Sequence, residues 1–185
     1  MFGILGESDS DVASLKIIVR RLKKDNAVPI MVHGCGGCEE LLRNGAKRLL
    51  AFAESGCTKY IVCCDVDGGN PIAKHQQVLK KVVSSARLQT RCCIVIPVQE
   101  LEAWLLADIP AVSKVCTGWR PKHIDHPEQI TSPKEHLEKL SRDSKRRRRY
   151  NHAIHNEQLA KYINLKTVSK KCPSFRPLEQ FVQSQ

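Results

Sequence analysis

Short apolar runs alternate with longer segments in which apolar residues recur every three or four positions along the first hundred residues. The short runs are typical of β-strands, and the longer segments are typical of amphipathic helices. The predicted strands cover residues 2–6, 28–32, 59–64 and 92–98, and the predicted helices cover residues 11–24, 39–55 and 71–87. This alternation predicts an α/β fold in which helices flank a mainly parallel, four-stranded sheet.

After the fourth strand, the pattern changes to helices that are separated by polar loops. Ser132 and Glu135 match a capping box, and Pro133 between them suits the first turn of a helix. Further helices are predicted nearer the C-terminus. We therefore expect two parts: an α/β core of residues 1–108 and a basic α-helical extension of residues 109–185 that packs on the core.

Positive charge is concentrated in the second part of the chain. There are 30 Lys and Arg residues against 19 Asp and Glu, and residues 111–185 contribute +9 to the net charge of +11. The helix that begins at Pro133 is predicted to run into five consecutive cations, which are Lys145, Arg146, Arg147, Arg148 and Arg149. A solvated helix end is one interpretation, because cations there suit the helix dipole. Adjacent like charges repel each other, however, so contact with the phosphates of DNA or RNA is at least as well favoured.

The cysteines and the apolar runs indicate the compartment. No apolar run reaches the roughly 18 residues of a membrane helix, and the N-terminal segment lacks the pattern of a secretory signal. Nine cysteines, an odd number, are more typical of a reducing cytoplasm than of a disulfide framework. Cys35 and Cys38 form a CxxC pair near His33, but no second pair follows at zinc-finger spacing, so a structural zinc site is the less favoured interpretation. A core or loop position is likewise favoured for His33 over a catalytic one.

Acidic residues follow three of the predicted strands. Glu7 follows the first strand, Asp65 and Asp67 follow the third, and Glu100 and Glu102 follow the fourth. The carboxyl ends of parallel strands meet at one edge of a sheet, where ligands bind. Carboxylates that share one pocket repel each other and favour a hard divalent cation, Mg²⁺ or Mn²⁺. Two such ions about 4 Å apart can activate water and stabilise the leaving oxygen in phosphodiester cleavage.

Asp11 is a further candidate ligand. It lies four residues after Glu7, so both side chains share one face if the first helix begins near Ser8. For the fourth strand, Glu100 is favoured over Glu102 as a ligand because it lies nearer to the strand end.

A strand that ends in Glu7, followed by a strand that ends in the DxD of Asp65 and Asp67, resembles the Toprim domain over roughly residues 1–108. Two further segments, VQELEAWLLAD at residues 98–108 and CPSFR at residues 172–176, resemble small prokaryotic Toprim-like proteins. The proteins of that subfamily are of unassigned function and are often encoded beside ABC- or SMC-type ATPases in phage-defence loci.

The resemblance implies a Rossmann-like core and a role for each acidic residue. Glu7 matches the family's metal ligand or general acid/base, Asp65 and Asp67 match its metal ligands, and Asp11 matches the position of a ligand to a second metal. Topoisomerase chemistry is excluded, because a chain of 185 residues leaves no room for a strand-passage gate and Tyr60 lies in a predicted strand. The function expected on these grounds is a nuclease that uses two Mg²⁺ or Mn²⁺ ions, acting as the toxic effector of a defence system under the control of an ATPase.

Two other functions stay open at this point. The DVDG of residues 65–68 resembles the nucleophile loop of haloacid-dehalogenase phosphatases, but that family places the loop on its first strand with Thr where Gly69 stands here. A non-catalytic regulatory subunit that binds nucleic acid and partners an ATPase would also use the basic part of the chain. The sequence leaves the choice between DNA and RNA open, and a homodimer is compatible with it.

Overall fold

The four strands form one parallel sheet. The computed structural model describes residues 1–116, 123–142, 147 and 149–184. The strands β1 (Phe2–Gly6), β2 (Ile30–Gly34), β3 (Lys59–Cys63) and β4 (Cys92–Val95) are arranged in the order β2-β1-β3-β4. All three pairs of neighbouring strands are parallel, so the predicted α/β fold with a Rossmann-like core is confirmed.

Helices connect the strands at nearly the predicted positions. They are α1 (Asp9–Lys23), α2 (Cys38–Glu54) and α3 (Pro71–Val78). The third helix was expected to continue regularly to residue 87, but α3 changes into a π-helical turn at Leu79–Val83. In a π-helical turn, residues four and five positions apart share a face, and Val82 and Val83 are both buried with Val78. Packing of three valines therefore explains the departure from the predicted helix.

The second half of the chain consists of shorter helices: α4 (Glu102–Leu106), α5 (Ile109–Val115), α6 (Pro133–Leu140), α7 (His152–Tyr162), α8 (Leu165–Lys171) and α9 (Arg176–Gln183). α7 packs against α1, and α9 packs against both α1 and β4. These helices share one hydrophobic core with one face of the sheet, whereas α2 and α3 cover the other face. Within the described ranges, no helix has the length and apolarity needed to cross a membrane.

The start of α6 differs from its prediction. Ser132 precedes the helix as expected, but its side chain forms no capping hydrogen bond, so the predicted capping box is wrong. Glu100 takes the place of the cap, because its carboxylate accepts a hydrogen bond of 2.9 Å from the backbone N–H of Lys134. α6 ends at Leu140, well before the arginine run that it was expected to enter.

Candidate metal centre

A crevice lies between β1 and β3, where the order of the strands in the sheet reverses. β1 is connected through α1 to β2 on one side, and β3 is connected through α3 to β4 on the other. Such a switch point is where parallel α/β sheets bind ligands at the carboxyl ends of their strands. A cavity of about 310 Å³ lies there, and its lining comprises Glu7, Ser8, Ser10, Asp11, Gly36, Gly37, Asp65, Glu100, Glu102, Lys134 and His152. Five acidic residues from three strand ends and α1 therefore surround one cavity.

Asp11 is positioned by the N-terminal turn of α1. The Ser8 side chain accepts a hydrogen bond from the backbone N–H of Asp11 at 3.2 Å, and the Asp11 carboxylate accepts one from the Ser8 backbone N–H at 3.1 Å. This reciprocal pair is a capping box, and it fixes the Asp11 side chain in the cavity lining. Burial raises the pKa of the Asp11 carboxyl, and its hydrogen bonds with Ser8 oppose that shift.

Asp65 is the carboxyl group with the strongest electrostatic conflict in the cavity. Burial, followed by the repulsion of Asp11, Glu102, Glu7 and Asp67, raises its pKa well above the usual range. Glu7 is held beside it, because a Glu7 carboxylate oxygen accepts a hydrogen bond of 2.8 Å from the Asp65 backbone N–H. Burial also raises the pKa of Glu7. A bound cation would relieve this repulsion directly.

Asp67 lies outside this cavity lining. Its backbone adopts a left-handed conformation with φ of 52°, and its N–H donates to the Gln99 carbonyl at 3.2 Å. Its side chain is exposed. Its charge nevertheless raises the pKa of Glu7, Asp65 and Glu100, so it lies near the rim. The two aspartates of the DxD therefore occupy different environments, one inside the cavity and one beside it.

Glu102 is bound by residues of the C-terminal half that the sequence pattern did not indicate. Its carboxylate accepts hydrogen bonds from the Asn156 amide at 3.0 Å and the Tyr150 hydroxyl at 3.4 Å. The side chain is only 5% exposed, and burial raises its pKa to about 7. The sequence holds a signal for the burial of Asn156, although not for its partner, because Asn156 shares the buried face of α7 with Leu159 and Ala160. A polar residue on an apolar helix face needs a polar partner in the core.

Positive charge in the lining comes from the second half of the chain. The Lys134 ammonium group lowers the pKa of Asp11 and of Glu100, in each case against the larger effect of burial. His152 also lines the cavity, and burial lowers its pKa. Among the lining residues, one lysine and one histidine thus face five carboxyl groups. Oxygen donors with excess negative charge fit Mg²⁺ or Mn²⁺ better than they fit a soft metal ion.

The two cysteines of the CxxC pair lie in different surroundings. The backbone N–H groups of Gly36 and Gly37 donate to the Glu7 carbonyl at 2.8 and 2.9 Å, with φ of +80° and +127° that favour glycine. This turn brings Cys38, the first residue of α2, to 3.5 Å from Cys64, measured between the sulfur atoms. Cys35 lines a separate cavity of about 480 Å³ together with His33.

Comparison with known protein families shows which family the chain belongs to. Residues 7–183 match the family described as a domain of unknown function, DUF4276. The chain belongs to the DUF4276 family. No curated protein and no solved structure matches it. The DUF4276 match spans both the α/β core and the C-terminal helices, so the segments that supply Lys134, Tyr150 and Asn156 belong to the same family unit as the strands.

In this DUF4276 protein, the part of the arginine run that the structure describes is followed by a residue that contacts Glu102. Lys145, Arg146 and Arg148 lie outside the described residues, whereas Arg147 and Arg149 are described and exposed. Beyond them, the Ser141 hydroxyl accepts hydrogen bonds from the backbone N–H groups of Arg149 and Tyr150, at 3.3 and 2.8 Å. The residue after the run, Tyr150, is the one whose hydroxyl donates to Glu102.

Proposed function

We propose that this DUF4276 protein is a nuclease that cleaves phosphodiester bonds with the help of Mg²⁺ or Mn²⁺, most simply two ions. The observation that carries the proposal is the cavity at the switch point of the sheet, where five carboxyl groups face one lysine and one histidine. The resemblance of the Glu7 and Asp65–Asp67 pattern to Toprim nucleases supports the same conclusion.

The acidic residues divide into ligands and a proton carrier. Glu7, Asp11, Asp65 and Glu100 would hold the ions, with Asp67 at the rim as an outer partner. Metal ions in such a site activate a water molecule and stabilise the leaving oxygen. Glu102 differs from the ligands because it is buried and hydrogen-bonded to Asn156 and Tyr150. Its pKa of about 7 would suit proton transfer at neutral pH. Tyr150 and Asn156 fix its orientation through the hydrogen bonds described above.

The basic part of the chain would hold the substrate. Arg147 and Arg149 are exposed next to Tyr150, and the residues of the 145–149 run are all cationic. A phosphate backbone that is held by Arg149 would pass close to Tyr150, whose hydroxyl contacts Glu102. Lys134 lies in the cavity lining and would attract the scissile phosphate to the carboxylates.

The resemblance also supports a cellular context for this activity. We propose that the protein works in the cytoplasm as a defence effector, controlled by an ABC- or SMC-type ATPase, and that a homodimer is compatible with this role. Control by a partner would explain how a cell tolerates the nuclease.

The test is a cleavage assay on the full chain. Duplex DNA, single-stranded DNA and tRNA are incubated with the protein in Mn²⁺, in Mg²⁺ and in EDTA, each with and without an ABC- or SMC-type ATPase of the kind proposed as its partner. We expect cleavage of at least one substrate that requires the metal and is lost in Asp65→Asn and in Glu7→Gln. Asp9→Asn is the matched control, because Asp9 is an exposed acid of the same helix turn outside the acidic cavity.

Three results would overturn the proposal. Cleavage that survives both Asp65→Asn and Glu7→Gln would place the active site elsewhere. Binding of nucleic acid without cleavage in every condition would indicate a regulatory subunit. Hydrolysis of a phosphomonoester with no action on polynucleotides would indicate a phosphatase instead.

A further inference from the structure

A second cluster of ligand atoms adjoins the acidic cavity. It consists of the Glu7 carboxylate and the thiols of Cys38 and Cys64, whose ligand atoms all lie within 4.8 Å of one another. The two sulfur atoms are 3.5 Å apart. The cluster shares Glu7 with the acidic cavity, but it differs from that cavity in chemistry because two of its three donors are sulfur.

The fold assembles this cluster from three distant segments. Cys64 directly follows β3 and is fully buried, while Cys38 is the first residue of α2. The turn at Gly36 and Gly37, which is hydrogen-bonded to the Glu7 carbonyl, sets Cys38 against Glu7 and Cys64. The contact between the two cysteines crosses 26 residues. The hydrogen bond from the Asp65 backbone that holds Glu7 beside them crosses 58 residues. No linear motif marks such a site.

The geometry of the sulfur atoms suits one metal ion. Two sulfur atoms that each lie about 2.3 Å from a tetrahedral zinc are about 3.8 Å apart, so the observed 3.5 Å requires only a small adjustment. Both thiol protons would leave on metal binding, as coordination by cysteine requires.

Lys74 completes the electrostatics of the cluster. Its ammonium group lies 3.3 Å from the Cys38 sulfur and acts as a hydrogen-bond donor to it. Residues that do not bind a metal themselves orient its ligands through hydrogen bonds of this kind. The charges of two thiolates, one carboxylate, one divalent cation and the Lys74 ammonium group cancel.

We propose that Glu7, Cys38 and Cys64 form a binding site for a thiophilic divalent cation of the Zn²⁺ class, with a fourth position left for water. The site is separate in chemistry from the oxygen-donor cavity that is assigned above to Mg²⁺ or Mn²⁺. Zinc bound here would withdraw Glu7 from that cavity and so inhibit cleavage, a consequence that rests on the proposed function. The site itself does not rest on it.

The test uses Co²⁺ as a spectroscopic probe for the full chain, metal-free and kept reduced by a non-thiol reductant. We expect one equivalent of Co²⁺ to produce a thiolate-to-cobalt charge-transfer band together with the visible bands of tetrahedral coordination, and Zn²⁺ to remove both. Cys38→Ser and Cys64→Ser should each lose about half or more of the charge-transfer intensity, since one of two thiolates is gone. Cys35→Ser is the matched control, because it removes the other CxxC thiol and should leave the spectrum unchanged.

Two further variants keep the test decisive if Cys64→Ser fails to fold. Lys74→Gln should weaken Co²⁺ binding by about 10-fold without removing the charge-transfer band, since both thiolates remain. Glu7→Gln should keep the charge-transfer band and alter the visible bands, since an oxygen ligand is changed.

The proposal is overturned by the absence of a charge-transfer band in the wild-type protein. It is also overturned if the band disappears in Cys35→Ser but persists in Cys38→Ser. These spectra are recorded without nucleic acid, so they test the metal site independently of the proposed nuclease activity.

Discussion

Glu102 is the residue whose environment departs furthest from that expected of an acid at a helix start. It is the first residue of α4, yet it is 5% exposed and is held by Asn156 and Tyr150 from the C-terminal half. Burial raises its pKa to about 7 from an ordinary value of 4.5, and the nearby Asp11 carboxylate adds to the shift. The protein therefore folds with a carboxyl group that keeps its proton close to neutral pH.

This shift makes the stability of the protein depend on pH. Between pH 4.5 and about 7, folded Glu102 holds a proton that the unfolded chain has released, so its contribution is complete below pH 4.5 and is lost as the pH rises. In EDTA, we expect the free energy of unfolding of the wild-type protein to fall, over this range, by on the order of 3 kcal/mol more than that of Glu102→Gln. Urea unfolding at a series of pH values measures the difference.

Glu135→Gln serves as the control for this measurement. Glu135 is an exposed acid near the start of α6, so its variant should follow the wild-type pH dependence. If Glu102→Gln also runs parallel to the wild type, Glu102 titrates as an ordinary carboxyl group, and its proposed role in proton transfer is lost.

The sequence located part of this site and missed the rest for physical reasons. The positions of Glu7, Asp65 and Glu100 follow from strand ends, because every parallel strand delivers its carboxyl end to one edge of the sheet. The burial of Glu102 depends on α7, whose contact with it spans 54 residues, and no local pattern encodes such a distance. Asp67 leaves the cavity because of a left-handed backbone, which an aspartate pattern does not reveal.

At the level of elements, the C-terminal helices act as a layer of the fold. Leu178 and Val182 of α9 are fully buried in the cluster that also contains Ile4 of β1 and Val95 of β4. The sequence predicted helices here and their packing on the core. Helical periodicity shows that a helix has an apolar face but not which surface covers it, so the position of α9 over β4 came only from the structure.

A shared core implies that the two halves unfold together. We expect Leu178→Ala to lower the free energy of unfolding by about 3 kcal/mol and to shift one cooperative transition, since it empties a fully buried site. Leu50→Ala on α2 is the matched control, because Leu50 is 44% exposed and should cost less than about 1 kcal/mol. Denaturant unfolding followed by tryptophan fluorescence and by circular dichroism measures both. Separate transitions for the two probes would show that the extension folds as an independent unit.

At the scale of the whole molecule, positive charge is concentrated in the second half of the chain. Residues 1–110 carry a net charge of only +2, and their acids Glu7, Asp11 and Asp65 line the cavity, whereas residues 111–185 carry +9. In the proposed function, a polyanion would be attracted by the second half and brought to the carboxylates of the first. Divalent cations would be needed at the meeting point, because phosphates and carboxylates repel each other.

The arginine run should control affinity for nucleic acid. Replacement of residues 146–149 by Gln should weaken binding and flatten the dependence of log K on log salt by up to about 3 to 4 units for duplex DNA, since each phosphate contact contributes about 0.9. The control replaces four exposed cations from the region around the α3–β4 connection, which are Lys80, Lys81, Arg87 and Arg91. Fluorescence anisotropy at several salt concentrations measures both variants. Equal slopes of log K against log salt for the two variants would show that the arginine run contacts phosphates no more than other exposed cations do.

Calorimetric titration of the metal-free protein with Mn²⁺ tests the central claim most directly, because every other part of the proposed chemistry depends on the acidic cavity binding divalent cations. We expect two Mn²⁺ ions to bind to the wild-type protein, and binding to be lost or greatly weakened in Asp65→Asn while Asp9→Asn binds normally. Wild-type protein that binds no Mn²⁺, or Asp65→Asn protein that binds it equally well, would contradict the account.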